Sequence, residues 1–230
     1  MKAFILAGGF GTRLKPRFGD LPKPLAPLGG RPFLVHQLEW LARHGVRHAV
    51  MCVGHGADQV RDAIGDGRTW GVSVAWSEET EPLGTGGALA LALPHVDGPA
   101  LVMNGDTLAE CDPWELERAR WEQGATGAVA LFRVEDARSR GRVECDERGR
   151  VQRFVEKDPA WSGPAWVNGG LYAFDPGLWR ALASGPGSLE RDVLPRLADA
   201  RRLIGVREDG TFHDIGTPEE WERAERDLAS

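Results

Sequence analysis

Apolar runs of strand length alternate with stretches of helical period through the first half of the chain. Ala3 to Ala7, Ala49 to Val53, Val72 to Trp76 and Ala100 to Met103 are short and almost continuously apolar, the pattern of strands covered on both faces. They break at Gly8, Gly54, Ser77 and Asn104. Between them, Arg31 to His44 carries Phe33, Leu34, Leu38 and Leu41 at helical spacing behind Pro32, a good first-turn residue. Ala57 to Ile64 predicts a shorter helix closed by Gly65, an Ala/Leu-rich helix follows Gly87, and Pro113 to Gln123 predicts another. Strands and helices in this order, with crossovers of this length, predict an α/β fold built on a doubly wound, mostly parallel sheet.

The pattern changes after Gly127. Ala128 to Arg133, Gly141 to Asp146 and Val151 to Lys157 are short alternating strands, with Asp146-Glu147-Arg148-Gly149 as a hairpin turn. Val167-Asn168-Gly169-Gly170-Leu171 opens the next strand. Ser188 is placed to cap a helix running through Pro195, and Thr217 with Pro218 to launch a last amphipathic helix.

Composition narrows the function classes. Of 230 residues, 42% are hydrophobic and 27% charged, which disfavours disorder. No stretch approaches the ~20 apolar residues of a membrane span and no signal-peptide pattern precedes the first strand, so a cytoplasmic protein is expected. A net charge of -6 argues against a nucleic-acid surface. Cys52, Cys111 and Cys145 are odd in number and far apart, which indicates neither a disulfide framework nor a zinc site.

The densest chemistry lies where the first run ends. Gly8, Gly9 and Gly11 leave the backbone bare, so successive N–H groups can turn toward one anion. Thr12 adds a hydroxyl, Arg13 a rigid cationic fork, and Lys23, held between Pro22 and Pro24, a second cation. This loop suits phosphate. A dinucleotide fingerprint needs a third glycine where Leu14 stands, and no Gly-Lys pair exists for a Walker loop. Gly84, Gly86 and Gly87 surround Thr85 ahead of a helix. Thr85 as a helix cap explains the threonine; close approach to a flat ligand explains the glycines. Asp106 follows a central strand and faces the crevice where open α/β sheets bind ligands, which makes it a metal candidate; the alternative is an Asx turn. His55, just past the second strand, is placed either to touch a ligand or as a loop residue.

Gly8-Gly9-Phe10-Gly11-Thr12-Arg13-Leu14 followed by Pro22-Lys23-Pro24 resembles the opening signature of the sugar-1-phosphate nucleotidyltransferases, and the resemblance runs from Lys2 to about Arg226. It implies that Leu6, Ala7, Gly8, Gly9, Gly11 and Thr12 wrap a nucleoside triphosphate, with Arg13 and Lys23 as charged contacts. It implies that Gly84 to Gly87 lie along the nucleobase. Asp106, with Asp214 of Asp214-Ile215-Gly216-Thr217-Pro218, would hold the Mg²⁺ that bridges nucleotide and sugar phosphates. Glu156 and Asn168 would bond sugar hydroxyls, Gly170 and Gly141 would lie beside them, and Lys157 would meet the sugar phosphate. Arg140 stands where the family often has an aromatic.

The implied fold is a Rossmann-like, glycosyltransferase-A-like domain over 1–230. Residues 1–125 would form the nucleotide half, 126–217 the sugar-phosphate half and 218–230 a closing helix, with no hexapeptide β-helix repeat. Leu25 to Leu34, Ser188-Leu189-Glu190-Arg191-Asp192 and the short length look most like the heptose 1-phosphate guanylyltransferases. That implies GTP and D-glycero-D-manno-heptose 1-phosphate, feeding cell-surface polysaccharide assembly. Mannose 1-phosphate guanylyltransferases and N-acetylmuramate 1-phosphate uridylyltransferases share the same loops. An oxidoreductase would need the missing dinucleotide fingerprint. A non-catalytic nucleotide sensor would be expected to have lost Arg13, Asp106 or Asp214, all of which stand here.

Overall fold

The four apolar runs become the parallel heart of one sheet. The computed structural model describes residues 1–138, 140–155, 160–182 and 185–228. Its strands are β1 (Lys2–Leu6), β2 (Pro27–Leu28), β3 (Arg31–Pro32), β4 (His48–Val53), β5 (Ser73–Glu78), β6 (Ala100–Asn104), β7 (Thr107–Ala109), β8 (Gly127–Val134), β9 (Arg142–Cys145), β10 (Val151–Val155), β11 (Ala165–Phe174), β12 (Leu203–Glu208) and β13 (Phe212–Asp214). Its helices are α1 (Lys15–Phe18), α2 (Phe33–Arg43), α3 (Ala57–Ile64), α4 (Gly84–Leu91), α5 (Pro113–Glu122), α6 (Gly177–Ala181), α7 (Leu194–Asp199) and α8 (Pro218–Leu228).

β5, β4, β1 and β6 lie side by side, all parallel. β11 adds antiparallel to β6, β8 antiparallel to β11 and β12 parallel to β8, while β9 and β10 extend the other branch of a nine-stranded sheet. The alternating strands after Gly127 therefore join the nucleotide-side sheet and do not build one of their own. Both faces are covered. Ala3 and Ile5 enter one core with Phe33, Leu38 and Val60, while Phe4 between them enters the other with Leu89, Trp179 and Leu194. Such double burial is why these strands show no polar alternation.

Several details depart from the sequence expectations. β12 was not signalled, because Gly205 and Arg207 interrupt its apolar run. Gly205 is needed there, since a Cβ would lie 2.5 Å from Leu131 Cδ1 and 2.6 Å from Cys145 Sγ. Ser188 does cap, accepting from the Arg191 N–H at 3.1 Å, but the turn it opens is π-helical over Leu189–Val193 before α7 begins. β10 ends at Val155, so the expected Glu156 and Lys157 fall outside the described residues. Thr217 accepts from the Glu220 N–H at 3.2 Å and starts α8 as expected. Among the described residues, no helix is long and apolar enough to cross a membrane.

Candidate active site

The parallel strands all end on one edge, and that edge carries the chemistry. β1 runs into Gly8, β4 into Gly54, β5 into Glu79 and β6 into Gly105-Asp106. A cleft of about 480 Å³ opens there, lined by the loop from Gly8 to Arg13, by Lys23, Glu79, Gly84 and Thr85, and by Asp106 and Glu190.

The Ala7 N–H still bonds Cys52 O at 2.8 Å. Beyond it, the N–H groups of Gly9, Phe10, Gly11 and Thr12 donate to no backbone group among the described residues, which leaves a run of free donors at the cleft wall. Gly11 takes a left-handed φ of 59° at the head of a short turn, Thr12–Leu14, and a Cβ there would lie 3.0 Å from Lys23 Cβ. Bare backbone thus lets the loop press against the Pro-Lys-Pro segment. The exposed Arg13 turns back toward Gly216, where a Cβ would be 3.4 Å from its Nη2.

Asp106 and Asp214 meet through a small ladder. β7 and β13 pair antiparallel with Thr107 opposite Asp214, and the Ile215 N–H donates to Asp106 O at 2.9 Å. Lys23 Nζ donates to Asp106 Oδ2, and Thr107 Oγ1 to Asp106 Oδ1 at 3.2 Å. Asp214 Oδ1 accepts the Gly216 N–H at 2.6 Å, and its Oδ2 faces Arg140 Nη1 at 3.4 Å. Burial works to raise the Asp106 carboxyl, but the charge and hydrogen bond of Lys23, with Thr107 and Arg13 behind them, hold it below the usual range. Asp214 goes the other way. Burial first, then Asp106 and Glu220, push it up to about 6 against Arg140 and Lys23.

This donor set fits a hard divalent cation. Mg²⁺ is commonly held by one or two carboxylates, the remaining places going to water and substrate phosphates. Among the described residues no group of three or more His, Cys, Asp or Glu could hold a metal. A cation held by Asp106 and Asp214 would complete its shell with water and substrate oxygens.

Other groups at the site carry no local sequence signal. Gln37, fully buried on α2, donates Nε2–H bonds to Asn104 O at 2.8 Å and Thr107 O at 2.6 Å, clamping both ends of the Asp106 turn from behind. Glu79 takes the Leu83 N–H on Oε2 at 3.1 Å, and its Oε1 occupies the space a Cβ of Gly8 or Gly54 would need, 2.8 Å away in each case. Burial raises the Glu79 carboxyl, with the Leu83 N–H opposing. Glu190 accepts from Thr85 Oγ1 at 2.8 Å and from Ser188 Oγ at 3.2 Å.

The second glycine group is only partly at the cleft. Gly84 and Thr85 line it, whereas Gly86 and Gly87 are buried against the chain at Gly185 to Ser188. The Gly86 N–H donates to Gly187 O at 2.9 Å, and a Cβ at Gly87 would sit 2.6 Å from Gly185 O. The close approach expected of a flat ligand is made there by backbone. Thr85 lies inside the first turn of α4 rather than capping it, with Leu83 at the cap position. His55 is exposed and packs on Phe10, ring centroids 5.0 Å apart, outside the cleft lining. Asn168 spends its amide within β11, donating to Tyr172 Oη at 2.7 Å and accepting from the Gly170 N–H at 2.9 Å. Gly170, at a φ of +69°, abuts the Asp106 turn, since a Cβ would lie 3.1 Å from Thr107 Oγ1. Gly141 and Asn168 do not line the cleft, and among the described residues a Cβ at Gly141 would meet only Val155 O, at 3.6 Å.

A glycine loop with a run of free N–H groups and two neighbouring carboxylates, Asp106 and Asp214, stand at one edge of a mostly parallel sheet in this α/β domain. The chain matches the model of the Nucleotidyl transferase family over residues 2–230, and it belongs to that family. It is 34% identical over 226 residues to a Xenopus tropicalis protein, mannose-1-phosphate guanylyltransferase catalytic subunit beta. It is 35% identical over 230 residues to probable mannose-1-phosphate guanylyltransferase 2 of Arabidopsis thaliana. Each match takes in 96% of this chain, which spans 62% and 63% of those proteins' lengths. HddC from Yersinia pseudotuberculosis, solved in complex with GMP-PN, has a TM-score of 0.86 at 29% identity, covering 99% of both chains. A putative glucose-1-phosphate thymidylyltransferase from Bacillus anthracis shares the fold, with a TM-score of 0.87 at 24% identity over 98% of this chain and 94% of that one.

Proposed function

We propose that this chain transfers a guanylyl group from GTP to a sugar 1-phosphate. A phosphate oxygen of the sugar 1-phosphate attacks the α-phosphorus in line, forming the new P–O bond of the GDP-sugar, and the bond to the β-phosphate breaks to release pyrophosphate. The observation that carries this reading is the convergence of the free N–H groups of Gly9 to Thr12 with Lys23 and Asp106 in one cleft, with Asp214 brought beside Asp106 by the β7–β13 ladder. The nucleophile is already an anion, so no general base is required. The work is to bring two repelling phosphates together and to neutralise charge that spreads in the transition state.

The loop N–H groups and Arg13 take up the pyrophosphate end, and Lys23 lies against the α-phosphate. Asp106 and Asp214 would hold Mg²⁺, which when bound supplies Lewis-acid stabilisation between the two substrates. Glu156, Lys157 and Asn168 are assigned to the sugar side on the sequence resemblance alone. The choice of base rests on Glu79. Guanine presents N1–H and N2–H₂ side by side, which match a carboxylate, whereas uracil and thymine present one N–H between two carbonyls. Such a donor edge would also offset the burial that raises Glu79.

The sequence resemblance at Leu25 to Leu34 and Ser188 to Asp192 supports a heptose 1-phosphate as acceptor, and similarity along the whole chain to HddC, solved with GMP-PN, supports a guanine nucleotide. The mannose-1-phosphate guanylyltransferases among the relatives support mannose 1-phosphate as the second reading. The test is pyrophosphate release with Mg²⁺, pairing GTP, UTP, CTP, ATP and dTTP with heptose, mannose, glucose and N-acetylmuramate 1-phosphates. Turnover with GTP and heptose is expected, and turnover with mannose instead selects the second reading. Nucleotide binding with no turnover on any sugar overturns both in favour of a sensor.

A further inference from the structure

Asp106 and Asp214 each have one carboxylate oxygen against a cation of the protein. On Asp106 it is Lys23, and on Asp214 it is Arg140. Arg140 is held firmly. Its own N–H donates to Ala137 O at 3.0 Å, its Nη2 donates to Glu220 Oε1 at 2.9 Å, and its guanidinium lies over the Phe212 ring, 4.7 Å from the centroid. Its side chain is 11% exposed. The contact to Asp214 Oδ2, at 3.4 Å, is the longest of its hydrogen bonds, and Asp214 Oδ1 already accepts the Gly216 N–H. The Asp214 oxygen that accepts no backbone N–H therefore faces a fixed positive charge.

We infer that Arg140 is a resident counter-cation that competes with the divalent metal for Asp214 and keeps the metal site weak until substrate phosphates arrive. The inference rests on the metal-assisted reading of the Asp106–Asp214 pair. Arg140 is a positioning residue, tied to α8 by Glu220 and to β13 by Phe212, and it stays anchored when Asp214 is drawn away. A fixed unit charge a few ångströms from a divalent ion lowers its affinity by roughly ten-fold or more even under water-like screening. Phosphates carry the opposite charge, so nucleotide binding relieves the opposition and couples metal loading to substrate loading.

The test is Mn²⁺ binding, followed by the paramagnetic resonance signal of unbound Mn²⁺, to the enzyme alone and with a non-hydrolysable GTP analogue. Arg140→Met should bind Mn²⁺ roughly ten-fold tighter than the wild type without nucleotide, with a smaller gain on adding the analogue. Arg140→Lys keeps the charge and should stay near the wild type. Unchanged or weaker binding in Arg140→Met, with native circular dichroism, overturns the inference, as does equal tightening in Arg140→Lys. Should Arg140→Met fail to fold, Arg140→Gln takes its place under the same criteria. Wild-type protein that binds no Mn²⁺ even with the analogue would overturn the metal-assisted reading itself, a result distinct from either failure of Arg140.

Discussion

Replacing Gln37 with Leu removes the clamp on the Asp106 turn while keeping α2 apolar on its core face. Two hydrogen bonds are lost, to Asn104 O and Thr107 O, at a position with no exposure. Each contributes about 1 kcal/mol net, and a carbonyl left unpaired in a buried place costs about 1–3 kcal/mol. Gln37 Oε1 is itself buried without a partner among the described residues, and Leu removes that burden. The expected loss is about 2–3 kcal/mol of stability, which for a chain of this size lowers Tm by roughly 5–10 °C. The kinetic effect should be larger than the thermal one. A displacement of about 1 Å in a group that acts on the transition state costs on the order of 10²-fold in rate. Pyrophosphate release should therefore show kcat reduced by about that factor, with KM for GTP within roughly three-fold of the wild type. Gln37→Glu should be worse than Leu when ionised, because it turns an acceptor toward two carbonyls. A Gln37→Leu enzyme that melts with the wild type and keeps its kcat would refute the clamp.

Arg13→Ala should lower kcat by about 10²–10³-fold at saturating GTP, since a charge-assisted contact to the departing pyrophosphate counts most in the transition state; a change confined to KM would contradict that role. Glu208 has a folded pKa of about 7, raised from 4.5 by burial and then by Glu115, Asp112 and Asp209. Ionising it thus costs folded stability increasingly as pH rises from 4.5 to about 7, and the cost is complete above that window. Glu208→Gln should accordingly raise Tm at about pH 8.5 and leave it unchanged near pH 4.5, and an equal gain at both would disprove the burial account. Gly84→Ala places a Cβ 2.6 Å from Gly187 O at a φ of +69°. It should cost about 2 kcal/mol in a urea melt. Gly9→Ala, whose Cβ would meet nothing within 4 Å among the described residues, should melt with the wild type.

Much of the site was legible because its signals are local. A glycine loop after an apolar run, a proline on each side of Lys23, an Asp past a strand end and a Thr-Pro helix start each declare a backbone geometry within a few residues. The parallel heart of the sheet was legible for the same reason, since burial on both faces leaves strands without polar alternation. β12 was not, because its glycine answers to Leu131 and Cys145 beneath it and its exposed arginine to the Trp166 ring it lies over. Gly86 and Gly87 show the limit of reading glycines singly: bare backbone marks a close approach, but the sequence does not say to what.

The sequence by itself determined the class of the fold, the bare glycine loop after β1 and the place of Asp106 past the end of β6, because each depends on chain-local spacing and on the absence or presence of side chains, whereas Asp214 was singled out by the family resemblance. Tertiary structure alone decided the partners. Asp214 reaches Asp106 through the ladder of β7 and β13, Gln37 reaches behind the turn from α2, Glu79 fills the space left by Gly8 and Gly54, and Arg140 settles between Asp214 and Glu220. Each of these contacts joins residues distant in the chain, and closing the sheet is what selects them, because a side chain's reach is a few ångströms while its sequence neighbours carry no record of what lies across the fold.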